Sequence, residues 1–331
     1  MLVTGASGFI GSKLVRRLAE KGYQIRTFGR SSMTPHSLAD LKIEHVGGDI
    51  TNPEQVLSAV QGCQIIFHLA GLVSYRKRDI QRQYGVNVLG TRHVLEAALK
   101  TGIDRVIHTS SVAAMGIPRP GTIGNETLEY NLLGKGLNYC DSKFEAEQQV
   151  LQFAKVGVPV LMLNPGIVFG EGDTHPHHHA IFAMLSKGKV IGVPPGGVTF
   201  SDINDVVDAH VNAMTMGKLG ERYALVSANL SFKEAAAIVA KVMGTRPPLM
   251  VIPGPLLVAG GSLAELVMLN PPVTKQVAWL SQHKIFFSAK KAEEELAFKA
   301  TPFEETIARI SPYYLSLLQG DGMMPNRSVQ R

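Results

Sequence analysis

The sequence predicts an α/β protein built on a doubly wound parallel sheet, with a smaller C-terminal lobe that binds substrate. Three observations carry the prediction. A short apolar lead, Met1-Leu2-Val3, runs into the glycine turn Gly5-Ala6-Ser7-Gly8-Phe9-Ile10-Gly11, and Lys13-Leu14-Val15-Arg16-Arg17-Leu18 continues as an amphipathic helix. Short apolar runs then alternate with segments of helical periodicity, the pattern of successive βα units. Finally, hydroxyl and ionisable side chains follow those runs, at the strand ends where open parallel sheets gather ligands.

The glycine turn is the first element to justify. Ile10, Leu14, Val15 and Leu18 recur at helical spacing behind it. Strand, turn and helix make a dinucleotide cradle of the Rossmann type. Glycine permits the tight turn and lets backbone N–H groups approach a pyrophosphate, and the helix N-terminus adds partial positive charge. Gly5, Ser7, Gly8, Phe9, Ile10 and Gly11 are the expected contacts. The spacing G-x-x-G-x-x-G differs by one residue from the G-x-G-x-x-G fingerprint, so later elements must support it.

Residues 23–28 read as the second strand, ending at Gly29-Arg30-Ser31-Ser32. An NAD-preferring fold places a carboxylate here for the ribose 2′-hydroxyl, whereas arginine suits the 2′-phosphate of NADP. No Asp or Glu lies between Gly22 and Leu38, and Arg30 stands 25 residues after Gly5. NADP(H) is therefore expected over NAD(H). Residues 43–46 form a third strand, followed by Gly47-Gly48-Asp49-Ile50. Asp49 is placed to accept the adenine amino group, with Ile50 packing on the ring, or else to cap the helix over 53–60 in competition with Thr51 and Asn52.

Residues 64–69 are a continuous apolar run of the kind a buried parallel strand shows. After Leu69, Ala70 and Gly71 end it with little bulk, so a cofactor can come close to the backbone over 69–71. His68 reads as a packed polar residue. Asn87 sits in Asn87-Val88-Leu89-Gly90-Thr91, within a helix running on past His93, and is suited to brace the sheet. Residues 105–109 form the next strand and deliver Ser110 and Ser111 to its carboxyl end. Then comes Tyr139-Cys140-Asp141-Ser142-Lys143. Positions i and i+4 share a helical face, so phenol and ammonium stand side by side. The ammonium is expected to pull the Tyr139 pKa down towards neutrality, making a general acid/base.

Together these residues resemble the extended short-chain dehydrogenase/reductases, the class that includes NAD-dependent epimerases and dehydratases. The match runs through Thr4-Gly5, Gly48-Asp49-Ile50, His68 to Gly71, Asn87 to Thr91, Thr109-Ser110-Ser111, Tyr139 with Lys143, residues 165–170 and 202–206, and Gly220 to Tyr223. A C-terminal signature at 295–302 has Ala297 where glycine is usual. The nearest branches are the dihydroflavonol 4-reductase-like and 3β-hydroxysteroid dehydrogenase-like proteins and the hopanoid-associated sugar epimerases. The resemblance implies that Ser111, with Ser110 as fallback, binds the reacting carbonyl, and that Tyr139 moves the proton. Lys143 would bind the nicotinamide ribose and lower the Tyr139 pKa, Asn87 would support them, and backbone around Pro165, Gly166, Ile167 and Val168 would hold the carboxamide.

Length and composition agree. The chain has 331 residues, 45% hydrophobic and 18% charged, enough for a substantial core. A net charge of +6 is scattered, and runs such as Arg76-Lys77-Arg78 are too short for a nucleic-acid stripe. Two cysteines, Cys63 and Cys140, make no disulfide or zinc framework. His175-Pro176-His177-His178-His179 lacks a second ligand cluster, so no metal is expected. The run is expected instead to form a pocket-rim loop from which His177 or His178 touches substrate.

Residues 158–163 and 223–226 add strands. The expected division is a dinucleotide domain over 1–168 with returns near 198–227, a substrate lobe over 169–197 and 228–318, and a disordered tail over 319–331. Residues 249–273 carry one charge, Glu265, but Pro253, Pro255, Gly260 and Gly261 break a spanning helix. An apolar helix walling the substrate pocket is expected, with peripheral membrane contact open. The protein is expected to be cytoplasmic, with a homodimer open.

The leading activity is reduction of a ketone or aldehyde, or its reverse, on a fairly apolar substrate. A nucleotide-sugar epimerase is the alternative, with Lys187, Lys189 and Arg222 as its few candidates for holding a diphosphate. A dehydratase fits less well, since Val112-Ala113-Ala114 follows Ser111 where such enzymes carry an Asp-Glu pair. A non-catalytic nucleotide-sensing protein has no need of a tuned phenol.

Overall fold

A computed structural model describes residues 1–173, 182–268, 271 and 273–319. The His175–179 run lies outside them, as does the expected tail over 319–331 except Gln319, which ends the helix Phe303–Gln319. Six strands, β1 (Leu2–Thr4), β2 (Arg26–Gly29), β3 (Glu44–Gly47), β4 (Ile65–His68), β5 (Arg105–Thr109) and β6 (Val160–Pro165), join the edge strand Arg222–Leu225 in one sheet. Its order is β3-β2-β1-β4-β5-β6 and then Arg222–Leu225, every pair parallel. The order reverses between β1 and β4, so a crevice opens beside the glycine turn.

Alternate strand residues feed two cores, as a two-residue period requires. Val3, Phe67, Ile107 and Leu161 pack against α1 (Phe9–Glu20) and the helix Ile203–Asn212. Leu2, Ile66, Val106 and Val160 pack under α2 (Pro53–Val60), α4 (Gly90–Thr101) and α5 (Asn138–Lys155). Between α2 and α4 lies α3 (Ile80–Tyr84), joined to α4 by a π-turn over Gly85–Leu89. Asn52, rather than Asp49, caps α2, accepting from the Glu54 and Gln55 N–H groups at 3.1 Å each.

A second sheet is built around Gly197–Asp202, which pairs with Ile167–Phe169, Ala228–Ser231 and Lys284–Ile285. Phe200, Phe303, Ile307 and Tyr314 form a core beside it. The apolar stretch is a helix over Gly254–Val267 whose contact with a pocket is its one charged residue, Glu265, beside Leu137 and Trp279. Only Gly254 and Gly261 are buried, while Leu263 is 61% and Leu266 82% exposed. A Cβ on Gly261 would meet the Thr274 carbonyl at 3.1 Å, so close backbone contact at one small residue docks the helix and its leucines turn outward. Among the described residues no helix is long and apolar enough to cross a membrane.

The departure at Ala297 has a backbone meaning. It ends the helix Lys290–Leu296 in the left-handed conformation, φ 50°, the one described non-glycine residue with positive φ. That conformation is unfavourable by roughly 1–2 kcal/mol for a residue with a Cβ. Ala297→Gly is expected to raise stability by about 1 kcal/mol, a Tm gain of about 1–3 °C. Thermal unfolding of the two proteins checks this, and an unchanged or lower Tm would show that the helix end carries no such cost.

Candidate active site

The glycine turn is as tight as its spacing requires. A Cβ on Gly5, which has φ 70°, would fall 2.6 Å from the Leu69 carbonyl carbon, and one on Gly11 would fall 2.2 Å from the Gly5 oxygen. The loop therefore presses on the end of β4. Gly8 N–H donates to the Gly5 carbonyl at 3.0 Å and Gly8 precedes the first turn of α1, with Ser7 and Gly8 exposed. Exposed N–H groups at a helix N-terminus suit a diphosphate.

Beneath this loop runs a buried polar chain. Thr4 Oγ1 contacts His68 Nδ1 at 2.8 Å, His68 Nε2 contacts Thr91 Oγ1 at 2.9 Å, and Thr91 donates to the Asn87 carbonyl at 2.6 Å. Burial, and then the nearby Lys143 charge, lower the His68 pKa to about 3, so the ring stays neutral. His68 is thus the packed polar residue expected. Asn87 braces a loop and a helix rather than the sheet. Its Oδ1 accepts from the Leu72 N–H at 2.7 Å and its Nδ2 donates to Ser142 Oγ at 3.0 Å, tying the loop after β4 to α5.

Lys143 lies 6% exposed in the crevice. Its ammonium donates to the Thr109 carbonyl at 3.0 Å and would sit 3.5 Å from a Cβ on Gly71. Tyr139, one turn earlier, is also buried, with the Tyr75 ring edge-on at 5.4 Å between centroids. The Ser111 side chain faces the Tyr139 phenol and favours its ionised form. Ser111 also caps the turn over Val112–Ala114, where Ala113 N–H donates to its Oγ at 3.2 Å. Ser110 turns away into the protein, its Oγ buried without a hydrogen-bond partner among the described residues. The structure thus brings Ser111, Tyr139 and Lys143 to one strand edge.

The expected acidification of Tyr139 by Lys143 is not what this arrangement produces. Burial raises the phenol to about 12 against the opposing pull of the Ser111 side chain. The ammonium is itself buried, which lowers Lys143 to about 8 although Glu147 holds it up. Two desolvated neighbours each shift towards the neutral form.

At the nucleotide end, Arg30 and Ser31 are exposed after β2. The Asp49 carboxylate accepts from the Thr51 N–H at 2.9 Å and hydroxyl at 2.8 Å, bonds that lower its pKa along with the charges of Arg30 and Arg82. Ile50 is buried, with its γ-carbons 3.0 Å from where a Gly90 Cβ would lie. Its side chain belongs to the core more than to an adenine face. Near Pro165, Gly166 N–H donates to Ser201 Oγ at 2.9 Å and Ile167–Phe169 pairs with Gly197–Asp202, so part of the backbone expected for a carboxamide is already engaged.

Arg222 changes role altogether. It reaches inward to the Glu126 and Leu128 carbonyls at 2.9 and 2.8 Å and pairs with Glu147 at 3.2 Å, which withdraws it from diphosphate binding. Glu147 and Asn164 carried no motif signal beyond one further helical turn after Lys143 and the last residues of a buried strand. Among the described residues no group of three or more His, Cys, Asp or Glu could hold a metal ion.

Residues 1–225 match the model of the NAD dependent epimerase/dehydratase family. The chain belongs to that family. It is 32% identical over 318 residues to a putative dihydroflavonol 4-reductase of Synechocystis sp., covering 92% of both chains. It is 32% identical over 265 residues to sterol demethylase protein B of Methylococcus capsulatus, covering 80% of both. Among solved structures, that of gox2253 superposes with a TM-score of 0.83 at 28% identity over 98% of both chains. A UDP-glucose 4-epimerase of Thermotoga maritima superposes with a TM-score of 0.77 over 96% of this chain and 99% of that one, a likeness of fold at 22% identity. The family member described here is accordingly an extended short-chain enzyme acting on CH–OH groups with a nicotinamide dinucleotide.

Lys143 supplies a test independent of substrate. Its pKa lies below the unfolded 10.5, so the charged form strains the fold below about pH 8 and the strain fades as pH rises towards 10.5. Cofactor-free Lys143→Met keeps the stem without the charge. At pH 7 it is expected to be more stable than the parent by about 1–3 kcal/mol, with the advantage shrinking by pH 10. Urea unfolding at the two pH values reads both numbers, and a Met variant no more stable at pH 7 would show that the ammonium is not under strain.

Proposed function

We propose that the protein is an NADP(H)-dependent oxidoreductase that reduces a ketone or aldehyde to an alcohol, or runs the reverse, on a fairly apolar substrate. The convergence of Ser111, Tyr139 and Lys143 at the carboxyl edge of the sheet, beside the glycine turn, carries this reading. A bound nicotinamide dinucleotide supplies or accepts the hydride. Gly5, Ser7, Gly8 and the first turn of α1 would hold its diphosphate, Asp49 its adenine, Lys143 its nicotinamide ribose and Arg30 its 2′-phosphate.

The protein groups manage the oxygen. Ser111 hydrogen-bonds the carbonyl and orients it. Tyr139, held protonated far above neutral pH, gives its proton to that oxygen as the carbon is reduced. A phenol kept in its acid form favours the reductive direction. The Arg222 pairing counts against a nucleotide-sugar epimerase, leaving Lys187 and Lys189, both exposed, as the cations proposed for a diphosphate. A scaffold role leaves the buried phenol–hydroxyl pair without purpose.

Turnover of NADPH with a panel of ketones and aldehydes, run beside nucleotide sugars, tests the class. Tyr139→Phe is expected to retain fold and cofactor affinity while losing about 10²–10⁴-fold in turnover. Near-normal turnover by the folded variant would place the acid elsewhere. NADPH is expected to bind more tightly than NADH. Arg30→Ala should narrow that gap by a charge-assisted contact of about 1.5–3 kcal/mol at fixed ionic strength. Equal dissociation constants in the unaltered protein would refute the preference.

A further inference from the structure

We propose that Glu147 is a positioning residue for the reaction: its buried carboxylate joins the helix that carries Tyr139 and Lys143 to the strand end that carries Ser111. The inference rests on the reading above, in which Lys143 binds the cofactor ribose.

Glu147 lies one turn after Lys143 on α5 and is 1% exposed. Its Oε1 accepts from Asn164 Nδ2 at 2.5 Å. The same Asn164 nitrogen donates to the Ser111 carbonyl at 2.9 Å. One amide group thus bridges the carboxylate and the backbone of Ser111. The other carboxylate oxygen, Oε2, accepts from Arg222 at 3.2 Å, and Arg222 also holds the Glu126 and Leu128 carbonyls. Glu126 in turn accepts from the Ala224 N–H at 2.9 Å. α5, β6, the end of β5, the edge strand and the loop around 126–128 all meet at this carboxylate. A buried carboxylate needs such partners, and a lost partner leaves the others uncompensated.

The second consequence is electrostatic. Lys143 is faced by Glu147 from its own helix, by the neutral rings of His68 on β4 and His108 on β5, by the Thr109 carbonyl and by Tyr139. Glu147 is the negative group that keeps the ammonium charged against its own burial. His68 titrates near 3 and His210 near 4, with His108 also far below its usual range, and Tyr139 and Cys140 near 12. Within this buried set Lys143 alone changes charge between pH 6 and 10. Removing the Glu147 charge lowers the Lys143 pKa further, so loss of ammonium moves to lower pH.

The test measures the NADPH dissociation constant by fluorescence titration from pH 6 to 10. The wild-type protein is expected to lose affinity as pH rises through about 8, and Lys143→Met to show a flat profile. Glu147→Gln keeps an oxygen for Asn164 but no charge, and its alkaline limb is expected about one pH unit lower. Glu147→Asp, which restores the charge, should move the limb back. Asn164→Ala leaves the Glu147–Arg222 pair in place. It is expected to leave the limb unmoved and to lower kcat about tenfold with any substrate found, because Ser111 loses its tether. A purely structural carboxylate would weaken binding equally at every pH, and coincident limbs for the wild type and Glu147→Gln would overturn the proposal. Should Glu147→Gln not fold, the unmoved limb and lowered kcat of Asn164→Ala still decide the positional half, and wild-type kcat in that variant overturns it. A wild-type profile without a limb, matching Lys143→Met, would instead sink the reading of Lys143 itself.

Discussion

An ammonium ion taken out of water sets the terms for the rest of the molecule. Lys143 cannot stay charged in an apolar sheet edge without partners, because desolvating an ion is costly unless hydrogen bonds and opposite charge answer it. The Thr109 carbonyl meets it at 3.0 Å, and Glu147 stands one turn behind. The neighbouring groups conform to it. His68 and His108 are held neutral by burial, a bias the Lys143 charge reinforces. Asn87 fixes the loop after β4 against α5, and that loop brings Gly71 beside the ammonium.

The same crowding explains the form of the crevice. Parallel strands buried on both faces leave the sheet no polar surface except at strand ends. β1 and β4 end together where the order reverses, and Gly5 can press on Leu69 only because it has no Cβ. A nucleotide binding there would meet backbone N–H groups on one side and the Ser111, Tyr139 and Lys143 side chains on the other. Dehydration keeps Tyr139 an acid. In water an adjacent ammonium would acidify a phenol. Here both groups are buried, and desolvation is the largest influence on each.

Some features are carried by local chemistry and were legible residue by residue. Alternation of apolar runs with amphipathic segments specifies strands and helices because the 2.0 and 3.6 periods are backbone properties. The glycine turn follows from sterics, and Tyr139 and Lys143 share a face through helix geometry alone. Even the odd Ala297 could be flagged, since a position where glycine is usual often marks a left-handed backbone.

Other features depend on which distant segments meet. Arg222 reads as a candidate for holding a diphosphate, yet its strand pairs with β6 and turns it inward to Glu147, 75 residues earlier in the chain. The helix Gly254–Val267 reads as an apolar pocket wall, yet its docking through Gly261 leaves Leu256, Leu263 and Leu266 in solvent and sets Glu265 at a pocket. Ile50 faces Gly90 because α4 crosses there. The direction of the Tyr139 pKa shift depends on burial, which no local spacing encodes. The sequence by itself determined the βα alternation, the glycine cradle and the pairing of phenol with ammonium, because periodicity and backbone sterics act over a few residues. Only the tertiary structure decided which side chains are desolvated and which charges answer them, because burial and long-range contact are properties of the packed whole.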